Sequence, residues 1–145
     1  MKRKILIALA LIFFLIQFIR IDKSNPPVVA EEDFFAIHDA PAEVESLIKT
    51  ACYDCHSHTS VYPWYSNIAP VSWWLKNHIE EARTHLNFSS WASLDEKKSQ
   101  HKLEECAEMV EGTEMPLLSY MIAHRDAWID ADQRATLVAY FKSLQ

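Results

Sequence analysis

Gly112 is the only glycine in a chain of 145 residues. Glycine lets a backbone take left-handed conformations and approach a ligand closely, so folds and phosphate sites built on glycine-rich loops are excluded. The chain has no GxGxxG and no Walker loop, which removes nucleotide binding by those routes. Half of the residues are hydrophobic, ample for a core, so a collagen-like, low-complexity or wholly disordered chain is excluded as well. The length fits one domain, since domains run about 100–200 residues.

Charge is divided along the chain. Residues 1–30 carry five basic and one acidic side chain (+4), while 31–145 carry nine basic and nineteen acidic (−10), giving the net −6. A body that acidic repels phosphates and argues against a nucleic-acid partner. The basic end suits a membrane.

Met1-Lys2-Arg3-Lys4 precedes Ile5 to Ile19, fifteen residues in which Gln17 is the only polar one. That is the charged and apolar pattern of an export signal. The apolar run ends in Arg20-Ile21-Asp22-Lys23 rather than in a small-residue cleavage tract, and Val28-Val29-Ala30 lies well beyond it. A helix continued to Ile21 would measure roughly 25 Å, short of the ~30 Å hydrocarbon core, with Lys4, Arg20 and Lys23 able to snorkel. Residues 1–23 are therefore expected to be a retained signal-anchor or transmembrane segment, against the alternative of a removed signal peptide. The positive-inside tendency places Lys2, Arg3 and Lys4 in the cytoplasm and the body on the periplasmic side of a bacterial cell membrane. Residues 24–40 read as a linker, because Ser24-Asn25-Pro26-Pro27 forbids regular structure. Phe34-Phe35 is expected to tuck onto the domain that follows.

From residue 41 the apolar period is helical. Pro41 suits a first helical position, with Val44, Leu47, Ile48 and Ala51 on one face. Pro70 opens a second helix whose stripe reads Val71, Trp74, Leu75, His78, Ile79, Ala82 and Leu86. Asp95 or Ser93 caps a third, with Leu103, Cys106, Ala107 and Val110 inward until Gly112 stops it. A short helix is expected over Leu118–His124, and Asp130 or Asp132 begins the last, with Leu137, Val138, Phe141 and Leu144 inward. No strand alternation persists. The reading is an all-α domain over 41–145, small enough that a large apolar cofactor would help to hold it together.

Cys52-Tyr53-Asp54-Cys55-His56 is CxxCH, the attachment signature of c-type haem. Two thiols three positions apart can each reach a vinyl group on one porphyrin edge, and the adjacent imidazole then points at the iron. A thioredoxin-like CxxC needs a βαβ context that is absent here. A Cys52–Cys55 disulfide leaves the histidine unexplained, and zinc lacks a second ligand pair with finger spacing. The expected cofactor is one haem c, covalent through Cys52 and Cys55, with His56 on the metal. Cys106 reads as a buried thiol.

The sixth iron position is open to several readings. Met115 stands in Gly112-Thr113-Glu114-Met115-Pro116, where proline stiffens a loop that could hold a thioether against the iron. His78 is the rival, from the stripe of the second helix, and an open site is the third reading. Met109 and Met121 sit within helices as core, and His58 is too near His56 to reach the opposite face. His38, His85, His101 and His124 read as surface or hydrogen-bonding residues. Tyr62, Trp64, Tyr65, Trp73 and Trp74 are expected to wall the porphyrin in an apolar shell.

CxxCH early, Met-Pro late and a closing amphipathic helix resemble a small class I cytochrome c. More closely, Cys52-Tyr-Asp-Cys-His-Ser-His, the run Tyr62 to Trp74 and Leu86-Asn87-Phe88-Ser89 resemble the bacterial haem-binding domain family, over about residues 42–145. The resemblance implies covalent haem on Cys52 and Cys55, iron ligation by His56, and a methionine ligand matching Met115. It supplies no reaction. The expected function is a membrane-anchored electron carrier that meets redox partner proteins outside the cytoplasmic membrane and has no catalytic residue. The alternatives are a peroxidase-like haem enzyme and a haem sensor of redox state or gases, both with an open or displaceable sixth ligand.

Overall fold

The computed structural model describes residues 1–145 and contains helices and turns only. Asp33, Asp95 and Asp130 each cap the α-helix that follows them. The α-helices are α1 (Lys2–Ile16), α2 (Phe34–Ile37), α3 (Ala42–Ala51), α4 (Tyr53–His56), α5 (Val71–His85), α6 (Glu96–Glu111), α7 (Leu118–Ala123) and α8 (Ala131–Ser143). Short 3-10 segments lie at Ala30–Glu32, Trp64–Asn67, Phe88–Ser93 and Arg125–Ala127. The all-α expectation holds.

α6 and α8 form the main packed pair, and α3 lies against α8. Asp95 caps α6 by accepting from the Lys98 N–H at 2.8 Å, and Leu103, Cys106, Ala107 and Val110 are its buried face, as the period predicts. Asp130 begins α8 with a reciprocal capping box to Gln133, and Leu137, Val138 and Phe141 are buried. Leu144 is partly buried against the same core. The Arg134 guanidinium then donates from Nη1 to the carbonyls of Val110 (2.5 Å) and Met115 (2.9 Å), covering polar groups that the end of α6 leaves open.

The segment read as a linker contributes to this core. Phe34 is 0% exposed. Its ring meets Trp91 (centroids 4.7 Å), Phe88 (5.3 Å) and Phe141 (6.4 Å), so α2, the Phe88–Ser93 segment and α8 share one aromatic cluster. Asp33 caps α2 through the Phe35 N–H and also accepts from the Tyr53 hydroxyl at 2.9 Å.

Three expectations are corrected. The first concerns the N-terminal anchor: α1 ends at Ile16, and no helix is long and apolar enough to cross a membrane. The backbone closes into i→i+3 turns at Gln17, Phe18 and Ile19, and the Gln17 side chain leaves to pair with the Ala69 backbone. The second concerns α5, where Ser72, Leu75 and Ile79 are the buried positions, while Val71 and Trp74 are exposed. The stripe is rotated from the one read, because a small serine lets α5 approach its neighbours where a tryptophan would hold it off.

The third concerns Pro41, which precedes α3 as its cap rather than opening it. α6 does stop at Gly112, as read. Gly112 is right-handed (φ −70°), and the left-handed residue is Thr113 (φ 61°). The Thr113 N–H donates to Val110 and the Glu114 N–H to Met109, the paired bonds of a Schellman cap.

Candidate functional site

α3 ends at Ala51, and Cys52 breaks the helix with φ −124°. The Cys52 carbonyl then accepts from the N–H groups of both Cys55 (3.2 Å) and His56 (2.9 Å). The motif is therefore one helical turn. Spacings of three and four residues place Cys52, Cys55 and His56 on a common face of it.

None of the cysteines is paired in a disulfide. Burial pushes the Cys52 thiol up to about 12 and the Cys55 thiol up to about 11, with Cys52 further raised by Cys55 and Cys55 by Asp54. Both are neutral S–H groups at physiological pH. Cys106 is buried on α6, its thiol pushed up by burial, as expected of a core residue.

His56 is oriented from α5. Its Nδ1 lies 3.1 Å from the Leu86 carbonyl, an acceptor, so Nδ1 carries the hydrogen and donates. Nε2 is then the bare nitrogen, the arrangement that fixes a ligating imidazole. Burial holds the ring below the ordinary histidine range, which keeps it neutral, while the backbone at Leu86 and Ala82 acts in the opposite direction.

The residues after the motif are held as firmly. The Ser57 carbonyl accepts from Arg83 Nε at 2.7 Å, and Arg83 also reaches Ser60 Oγ and Asn25 Oδ1. His58 uses both ring nitrogens, Nδ1 donating to the Pro27 carbonyl and Nε2 accepting from Asn87 Nδ2 at 2.8 Å. It is a structural residue.

Asp54, one of the two variable positions of CxxCH, links the turn to α7. Its Oδ2 accepts from the Tyr120 hydroxyl at 2.8 Å, and its Oδ1 accepts from the Val61 N–H at 2.9 Å. Tyr120 stacks on His124 (centroids 4.3 Å), and His124 Nε2 shares a 2.7 Å hydrogen bond with Tyr65 Oη. Cys55, Tyr65, Leu75, Ile79, Tyr120 and His124 line a cavity of about 10 Å³ beside the motif. A depression of about 620 Å³ lies on the other side of Asp54 and Val61, lined by Val28, Phe35, Lys49 and Tyr53 among others, and holds neither cysteine nor His56.

The donor set fits a haem: two unpaired thiols and a pre-oriented imidazole on one face of one turn. Only about 10 Å³ is open beside Cys55, with Tyr65 and His124 among the lining residues, so a porphyrin needs this cavity to widen.

Met115 follows the Schellman cap of α6. Its N–H donates to Met109 (3.1 Å), its carbonyl accepts from Arg134, and its bond to the buried Pro116 is cis. None of these bonds joins it to the CxxCH turn; Tyr120, five residues on, makes that link. His78 bonds its own helix through the Trp74 carbonyl (3.0 Å) and lies tilted against the Trp74 ring (centroids 4.1 Å). The expected aromatic wall is reduced: Trp64 is 75% exposed and Trp74 47%, and of that run only Tyr65 lines the cavity beside Cys55. Sequence reasoning passed over His124, whose i, i+4 spacing from Tyr120 was the available signal.

No curated protein and no solved structure matches the chain. The profile of the family described as Haem-binding domain matches residues 11–143, nearly the whole length. With a neutral imidazole and two free thiols on one turn, this chain belongs to the haem-binding domain family.

Proposed function

We propose that this haem-binding protein carries one haem c and acts in electron transfer outside the cytoplasmic membrane, held there by its apolar N-terminal segment. Attachment adds each thiol across a vinyl group: the sulfur bonds one vinyl carbon, the thiol hydrogen goes to the other, and no oxidant is consumed. Cys52 and Cys55 supply those sulfurs, and His56 Nε2 ligates the iron. When bound, the haem supplies an iron that changes oxidation state by one electron. The carrying observation is the 3.1 Å bond from His56 Nδ1 to the Leu86 carbonyl, within one turn of two unpaired thiols. Met115 is the proposed sixth ligand, with a cytochrome-like, outer-sphere role following from an iron closed on both faces.

Acid–organic extraction of the denatured protein tests the attachment. Haem should stay on the polypeptide, and its full recovery in the organic phase would falsify the thioether assignment. A low-spin spectrum with a sulfur-to-iron band is expected of the carrier.

One observation favours a second reading. Tyr65 and His124 set two polar groups beside Cys55, which suits a peroxidase-like or ligand-sensing iron. A high-spin ferric form that binds cyanide quickly would select it.

A further inference from the structure

α1 is apolar around its whole circumference from Ile5 onward, with its charges confined to Lys2, Arg3 and Lys4, and none of its side chains is buried. Such a helix inserts into lipid rather than lying along its surface, because it has no polar face to leave in water. At 1.5 Å per residue it measures roughly 22 Å, against a hydrocarbon core of ~30 Å. A helix that short does not cross the core; inserted from one side, it draws the groups that flank it toward the lipid.

What flanks it here is the folded domain itself. Gln17 pairs with the Ala69 backbone through Nε2 to the carbonyl (3.0 Å) and Oε1 from the N–H (2.9 Å). Trp73 Nε1 donates to the Ile19 carbonyl (3.0 Å), while Arg20 and Lys23 donate to the Asn67 carbonyl (2.9 Å) and its Oδ1 (2.6 Å). The end of α1 is clamped to the loop that enters α5, with no slack chain between. The residues around that clamp are apolar and outward: Trp64, whose carbonyl accepts from Asn67 Nδ2, and Val71 and Trp74 on the first turn of α5. Tryptophan is enriched where hydrocarbon meets water, and Arg20 and Lys23 suit anionic headgroups.

We propose that the surface bearing Trp64, Val71 and Trp74 lies in the headgroup layer of the membrane that takes α1, so that the clamp fixes the haem domain directly on the bilayer. This rests on the membrane reading above. Its occupant is lipid: α1 is too short to leave the domain clear of the bilayer, and the clamp at its end holds these exposed residues beside it.

The test uses the full-length, haem-loaded protein, with nitroxide labels at Trp64→Cys or Val71→Cys and a control at Gln100→Cys on α6. Each is mixed with vesicles of phosphatidylcholine and phosphatidylglycerol and separated by flotation. On floated protein, collisions with oxygen should rise severalfold at 64 and 71 and those with a water-soluble nickel chelate should fall, while position 100 stays unchanged. Protein that floats with all three labels alike overturns the inference and leaves the anchor reading standing. Protein that does not float overturns both.

Discussion

Tyr65 Oη and His124 Nε2, 59 positions apart, share a hydrogen bond of 2.7 Å across the cavity that Cys55 lines. Behind it, Tyr120 stacks on His124 and donates to Asp54 within the CxxCH turn. The cavity beside Cys55 is closed by this polar pair together with Leu75 and Ile79.

Loading of haem should therefore be limited in part by that hydrogen bond. Tyr65→Phe removes it and keeps the ring, releasing about 0.5–1.5 kcal/mol of closure. Covalent haem should accumulate up to about tenfold faster in the variant, by the same range, and reach the same final content. The growth of the alkaline pyridine spectrum measures it. Equal rates in the two proteins would show that Tyr65 and His124 do not gate entry.

Phe34→Ala should destabilise the domain by about 3–5 kcal/mol, the range for emptying a fully buried aromatic site. Phe34 is entirely buried among Phe88, Trp91 and Phe141. Urea unfolding followed by tryptophan fluorescence of the haem-free chain reads the shift in midpoint. A loss below about 1 kcal/mol would mean that residues 30–37 are dispensable to the fold, since surface changes usually stay within that range.

Thr113 holds a β-branched residue at φ 61°, the left-handed position of the α6 cap. Such a residue pays about 1–2 kcal/mol in that conformation, which glycine does not. Thr113→Gly should raise stability by about 1 kcal/mol after the entropy of the unfolded glycine is counted. The same measurement reads it. The cap also delivers the chain to Met115, whose N–H shares the Met109 carbonyl with Glu114.

The helices that carry one clean apolar period were readable from residues alone, as with Leu103, Cys106, Ala107 and Val110 on α6 and Leu137, Val138 and Phe141 on α8. The motif turn was readable for a similar reason, since Cys52, Cys55 and His56 are local and their spacing sets their face. What could not be read was long-range. Gln17 breaks α1 because its amide finds Ala69, 52 residues away, and nothing near Gln17 announces that partner. On α5 Leu75 and Ile79 are buried as read, but the stripe reads Trp74 where Ser72 is the buried residue. Phe34 packs onto the domain as its apolar character suggests, but its partners Trp91 and Phe141 come to it only through the fold.

The sixth ligand decides between carrier and catalyst, and three residues now compete on stated grounds. Met115 has the loop position and the backbone ties to Met109 and Arg134. His124 has the place beside Cys55, and His78 is turned back to the Trp74 carbonyl on its own helix. Met115→Ala should abolish the sulfur-to-iron band, lower the reduction potential and open the iron to cyanide, while leaving covalent haem in place. His124→Ala and His78→Ala should keep both the band and the potential. A Met115 variant with the parent spectrum removes the thioether from the iron, and a change confined to His124→Ala assigns the distal position to the residue that latches onto Tyr65. In that case the potential of the parent protein should itself be low, because imidazole favours ferric iron more than a thioether does.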